Sequence, residues 1–236
     1  MDFAEKHVLK HLHSCKFSSI EYEPNGNVPP DFLVNGKIAI EVRRLNQNHF
    51  TRDGVKGLEE TAIPLWQKVK RLVENFSQPL NGESWFVYFS FSRPVSNWKN
   101  LKPLLQKALK QFSETENKKP TVLISKGGLE LEVFAKASKS HSTMLLMGAY
   151  SDEQSGGLLI AEMEKNITHC IEEKTSKISA FKSNYDEWWL VLVDHIGHGL
   201  DAFDRKQFHE HVSIDHSWDR VIIIDPLDEN NWFEMK

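Results

Sequence analysis

"PPDFLVNGKIAIEVRRLN", residues 29–46, places one acid directly after two prolines and a second inside the run Ile-Ala-Ile-Glu-Val-Arg. The pair Asn35-Gly36 separates two runs of strand-forming residues, the signal of a β-hairpin. Two registers compete. With Asn35-Gly36 as a two-residue loop, Asp31 faces Ile40, on the side that carries Ile38, Ile40 and Val42. A carboxylate buried among those aliphatics is strongly destabilising unless its pKa rises. A three-residue loop, Val34-Asn35-Gly36, shifts the parity by one, so that Phe32 faces Ile38 and Asp31 faces Ala39, diagonal to Glu41. One face is then aliphatic (Phe32, Ile38, Ile40, Val42) and the other gathers Asp31, Glu41 and Arg43. The three-residue loop is the expected one.

Working outward, residues 2–14 have helical spacing, with Glu5 on the stripe formed by Val8, Leu9 and Leu12. Residues 17–24 predict a strand ended by Pro24, and 55–76 a long amphipathic helix through Leu58, Ala62, Leu65, Trp66, Val69 and Val73. Strands are expected at 85–92, in "TVLIS", "LELEVFA" and "TMLLMGAY", with a lysine-rich helix at 98–112. A second long helix spans 158–181, its apolar stripe being Leu159, Met163, Ile167, Ile171 and Ile178. "WWLVLVD" (188–194) and "RVIIID" (220–225) are near-continuous apolar runs, as strands covered on both faces are. The expected class is α/β, a mixed central β-sheet flanked by helices on both faces, in a single domain over 1–236.

The chain has 236 residues, 40% hydrophobic and 26% charged, enough for a full core. A formal charge of −4 gives no global reason to bind a polyanion, so any such role needs a local basic surface. Cys15 and Cys170 are far apart, suggesting ordinary thiols rather than a disulfide or a thiolate metal site. The N-terminus is too interrupted by charge for a signal peptide, and no apolar run is long enough to span a bilayer. A soluble, cytoplasmic protein without a membrane partner is expected.

Two carboxylates across a hairpin suit Mg²⁺ or Mn²⁺, which take oxygen ligands and keep waters that a substrate phosphate can replace. A solvated polar face with an incidental ion pair would use the same residues. At this point the stretch resembles the core of the PD-(D/E)xK, restriction-endonuclease-like nucleases: Pro30-Asp31, nine residues, then Glu41-Val42-Arg43. The resemblance covers residues 1–45 and 158–225, with an insertion at about 80–155. It implies a nuclease hydrolysing phosphodiester bonds, DNA first, with Asp31, Glu41 and Arg43 catalytic and Asp31, Glu41 and Glu5 as metal ligands. An acid favoured by the helix dipole is the other reading of Glu5. Arg43 stands where the family has lysine and, always protonated, stabilises charge rather than acting as a base. That departure keeps open a silent nuclease-like module that binds nucleic acid or a protein.

Lys99, Lys102, Lys107 and Lys110 are the candidate nucleic-acid contacts, against the alternative of a solvated helix face. A second copy of the chain is the other expected partner. His195, His198, His209, His211 and His216, with Asp194 and Asp201, form a histidine-rich stretch that could ligate a transition metal, or be a loop followed by exposed histidines. "SGG" at 155–157 lacks the lysine of a phosphate loop.

Overall fold

A computed structural model describes residues 1–75 and 82–235. The chain is mixed α/β and divides into two compact units, Met1–Asn48 with Gly156–Lys236, and His49–Ser155. Along the chain, α1 (Phe3–Ser14), β1 (Ile20–Tyr22), β2 (Phe32–Val34) and β3 (Ile38–Leu45) open the first unit. The second contains β4 (Asn48–Thr51), β5 (Gly54–Gly57), α2 (Glu59–Glu74), β6 (Trp85–Phe91), α3 (Trp98–Glu114), β7 (Thr121–Lys126), β8 (Leu129–Lys136) and β9 (Leu145–Asp152). The first unit is completed by α4 (Leu159–Ile178), β10 (Glu187–Asp194), α5 (Ala202–His211), β11 (Arg220–Asp225) and β12 (Asp228–Glu234).

The first unit is a six-stranded sheet in the order β1-β2-β3-β10-β11-β12, parallel across β3, β10 and β11 and antiparallel elsewhere. Strand β10 is buried from Trp188 to Asp194, as its unbroken apolar run predicts for a strand covered on both faces. One face packs Ile40, Val42, Val191 and Ile222 under Ala4, Val8 and Leu12 of α1. The other packs Ala39, Leu45, Leu190 and Ile223 under α4 and Phe208 of α5.

The hairpin has the expected parity and a different loop. Phe32 pairs with Ile40, Leu33 with Ala39 and Val34 with Ile38, so the loop is Asn35-Gly36-Lys37 rather than residues 34–36. Asn35 (φ 51°) and Gly36 (φ 69°) both adopt the left-handed region, and the Lys37 N–H donates to Val34 O at 3.2 Å. Asparagine and glycine tolerate that region best, which puts the tight turn on this pair and leaves Lys37 as the extra residue. One step beyond Phe32–Ile40, Asp31 stands directly beside Glu41 instead of diagonal to it.

Other expectations are corrected locally. The strand expected over 17–24 is only Ile20–Tyr22, because Glu23 turns left-handed (φ 45°) and gives its N–H to Asp31 O. The helix expected from 55 begins at Glu59, since the glycine-bounded β5 pairs with β4; residue 76, its expected end, lies outside the described residues. Helix α5 occupies what read as a loop, capped by Asp201, whose carboxylate accepts from Asp204 N; only Phe208 is buried, so the apolar periodicity is faint. Strand β12 has few strand-forming residues and exists by pairing with β11.

The second unit is a four-stranded sheet, β7-β8-β6-β9, with α2 and α3 on one face over Val87, Phe89, Phe91 and Leu131. It starts at His49 rather than near residue 80, because α2 buries Ala62, Leu65, Val69 and Val73 in this core. Among the described residues no helix is long and apolar enough to cross a membrane.

Nothing lies within 4 Å of where a Cβ on Gly36 would sit, so Gly36→Ala pays only for its left-handed backbone. The expected loss is about 1–2 kcal/mol in urea denaturation, with an unchanged m-value.

Candidate active site

The polar side of the hairpin does not face water. Successive residues of β3 alternate between the helix layers, so Ala39, Glu41 and Leu45 look toward α4. Glu41 lies between Asp31 on one side and Leu190 of β10 on the other, with no exposed surface. An anion there needs partners, because burying it alone costs several kcal/mol or about that order. Helix α4 supplies them. Lys174 Nζ donates to Glu41 Oε2 at 2.6 Å, and Lys177 Nζ to the same oxygen at 2.9 Å. Both ammoniums also reach Asp31, Lys174 to Oδ2 at 3.5 Å and Lys177 to Oδ1 at 3.6 Å. The Val42 N–H donates to Asp31 Oδ2 at 2.7 Å, which fixes that carboxylate against the neighbouring strand.

Two carboxylates and two ammoniums sum to zero. Lys174 is 8% exposed and Lys177 43%, so one cation is sealed in and the other opens to solvent. Burial alone pulls the Lys177 pKa down, but its hydrogen bond to Glu41 and the charges of Glu41 and Asp31 outweigh that and leave it above the ordinary lysine value. Lys177 is therefore a cation at neutral pH. Glu41 Oε1 is buried and has no hydrogen-bond partner among the described residues. Such an acceptor is costly unless something meets it.

Asp31, Arg43, Lys174 and Lys177 line one cleft of about 340 Å³, together with Glu5, Arg44 and Glu173. A second recess, lined by Glu23, Asn27, Asp31 and Lys177, shares Asp31 and Lys177 with the first. Arg43 Nη2 pairs with Glu173 of α4 at 2.9 Å. Beside it, Cys170 is pushed up to about 11, mainly by burial and partly offset by Arg43, so it is a thiol and not a nucleophilic thiolate. Glu5 lines the cleft while capping α1. Its Oε2 accepts from the Asp2 N–H and, at 3.1 Å, from the Tyr22 hydroxyl.

The structure thus brings Asp31, Arg43 and Glu5 to one cleft; Glu41, fully buried, does not line it and is joined to Asp31 through Lys174 and Lys177. The two lysines of α4 were missed, although Lys174 sits between Ile171 and Ile178 on the apolar stripe, where a charge calls for a buried partner. Lys99, Lys102, Lys107 and Lys110 are all exposed on α3 in the second unit. In the histidine-rich stretch, Asp194 accepts from the N–H groups of Ile196, Gly197 and Gly199, and Asp201 caps α5.

Among the described residues no group of three or more His, Cys, Asp or Glu side chains converges as a metal site. A Mg²⁺ ion needs fewer protein ligands, because it keeps waters and binds through one or two carboxylates plus substrate phosphate. The Asp31–Glu41 pair fits that requirement: both side chains offer hard oxygens, and Glu41 Oε1 has no donor among the described residues.

Comparison of the chain with protein-family models, curated proteins and solved structures found no match. The ion cluster makes its own prediction. Lys174→Met leaves Glu41 with Lys177 alone and is expected to cost about 2–3 kcal/mol in chemical denaturation. Adding Glu41→Gln removes the stranded charge, so the double variant is expected to be more stable than Lys174→Met, with a coupling of about 1–2 kcal/mol.

Proposed function

We propose that the chain is a Mg²⁺-dependent phosphodiesterase acting on nucleic acid, DNA first, with a PD-(D/E)xK-like site whose lysines come from α4. The observation that carries this reading is the buried Glu41 beside Asp31, joined to two lysines at an open cleft, with one carboxylate oxygen unmet. Asp31 and Glu41 would hold the ion. When bound, it would polarise the phosphoryl group and lower the pKa of an attacking water. A dication added to a cluster of zero net charge would leave it at +2, which suits an anionic diester.

The protein's own residues would act electrostatically. Lys177, half exposed and protonated, would donate to a non-bridging phosphate oxygen and steady the charge that grows there. Lys174 would position Glu41. Arg43 and Arg44 at the rim would orient the phosphate backbone. The free thiols Cys15 and Cys170 suit a reducing cytoplasm.

A second reading has its own support: Lys174 and Lys177 already neutralise the carboxylates, so the cluster is a complete charge network without a metal. A silent module would bind nucleic acid without turnover.

Plasmid and oligonucleotide cleavage with Mg²⁺ or Mn²⁺ separates the two. Glu41→Gln is expected to lower the rate about a hundredfold or more while the fold survives, and Lys177→Met to do the same. Lys177→Arg should stay within about tenfold, since an arginine supplies the charge but not a base. Tight binding with no cleavage under any of these conditions selects the silent module.

A further inference from the structure

The second unit carries a groove that the proposed chemistry does not use. It is about 290 Å³ in volume and runs between α2 and α3, above the core they share. Its α2 wall is Lys68, Arg71 and Leu72, a spacing of three and four that puts them on one helix face, followed by the C-cap residue Asn75. Its α3 wall is Trp98, Lys102 and Gln106, spaced by four. The inner stripes of the same helices, Leu65 and Val69 on one and Leu101 and Leu105 on the other, are buried in the core. The groove is thus built from the outward flanks of two helices that the core holds in place.

Its chemistry is one-sided. Lys68, Arg71 and Lys102 are exposed, no carboxylate lines the groove, and none of the three has an ion-pair partner among the described residues. Neighbouring cations differ: Lys70 pairs with Glu74 and Lys110 with Glu114. Leu72 and Trp98 rest on the core and form an apolar floor. Three unneutralised cations around an aromatic ring are the elements of a single-strand site, in which cations track phosphates and a ring stacks an unpaired base. A duplex keeps its bases stacked on one another and has no free face to offer Trp98. Of the four lysines singled out on α3, only Lys102 lines this groove.

We infer that this groove binds single-stranded nucleic acid, with Lys68, Arg71 and Lys102 on successive phosphates and Trp98 under a base. This rests on the nucleic-acid reading of the protein and narrows its substrate to unpaired strands.

The test is fluorescence anisotropy of a labelled twelve-nucleotide single strand, and of a duplex of equal length, with the full chain in EDTA so that nothing is cleaved. The single strand is expected to bind more tightly, with log K falling against log salt at a slope of about −2 for three phosphate contacts. Lys68→Glu with Lys102→Glu should weaken binding more than tenfold and flatten the slope by about 1.4, at about 0.7 per contact. Trp98→Ala should lose about five- to a hundredfold at unchanged slope, and Trp98→Phe should retain most of the affinity. Duplex binding as tight as single-strand binding, or single-strand binding indifferent to these variants, overturns the inference. Hydrolysis of bis(p-nitrophenyl) phosphate by the wild-type chain with Mn²⁺ reports the Asp31–Glu41 cleft separately. Groove-dependent binding without that hydrolysis would sink the catalytic reading and leave this one standing. Hydrolysis without groove-dependent binding would do the reverse.

Discussion

A carboxylate with no exposed surface governs the first unit. Glu41 sits in the middle of a parallel strand, under a helix, where an unpaired anion would be intolerable. Helix α4 must therefore arrive with its ammoniums over that point. Its buried stripe carries a second polar anchor two turns earlier: the Asn166 side-chain carbonyl accepts from both the backbone and side-chain N–H groups of Asn48, at 3.0 and 2.9 Å. Asn166 and Lys174 are eight residues apart, about 12 Å along the helix axis. Aliphatic contacts such as Met163 and Ile167 would tolerate small slides of α4 over the sheet. Two directional anchors that far apart do not, since turning the helix by one residue swings both away by about 100°.

The same charge explains the hairpin. Parity decides which face receives Asp31, and a carboxylate among Ile38, Ile40 and Val42 would meet the apolar side of α1, which packs Ala4, Val8 and Leu12 on that face. The register with a three-residue loop sends Asp31 and Glu41 together toward the lysines. Within that parity, the left-handed pair Asn35-Gly36 chooses the loop, and with it the direct juxtaposition of the two acids.

Alternation along β3 made the two faces legible from sequence, because a period of two is a local property of the strand. The buried runs of β10 and β11 were legible for the same reason. What could not be read was what lay above the polar face. Lys174 and Lys177 come from a helix more than 130 residues later, and only the charge interrupting the Ile171–Ile178 stripe hinted at them. Glu5 was legible as an acid on a helix face, but its capping of Asp2 depends on a turn that periodicity does not describe. Helix α5 and strand β12 were missed because each is held by its neighbours: one by a single buried Phe208, the other by the edge of β11. The separate core of residues 49–155 was hidden by the continuity of α2 with the chain before it, since amphipathicity tells that a helix has a buried face but not which sheet receives it.

A buried ion pair is weak evidence of function, since many serve only to hold elements together. The second unit supplies an internal comparison. Arg93 and Asp152, 6% and 5% exposed, meet through two parallel bonds of 2.6 and 2.7 Å. Arg93 also donates to Leu58 O, and Asp152 accepts from the Gln154 N–H. Every oxygen of that carboxylate is met, the geometry is bidentate, and the pair closes on itself as a structural fastening does. Glu41 differs on each count. Both ammoniums crowd one of its oxygens while the other has no donor among the described residues, and the network runs outward to Asp31 and Lys177, which line the cleft. Evolution of a fastening would favour satisfying Oε1 or replacing the set by aliphatics of similar volume, either of which is commonly neutral or stabilising. A buried acceptor unmet among the described residues, beside one sealed and one open cation, is the contrast on which the proposed reading of this site rests.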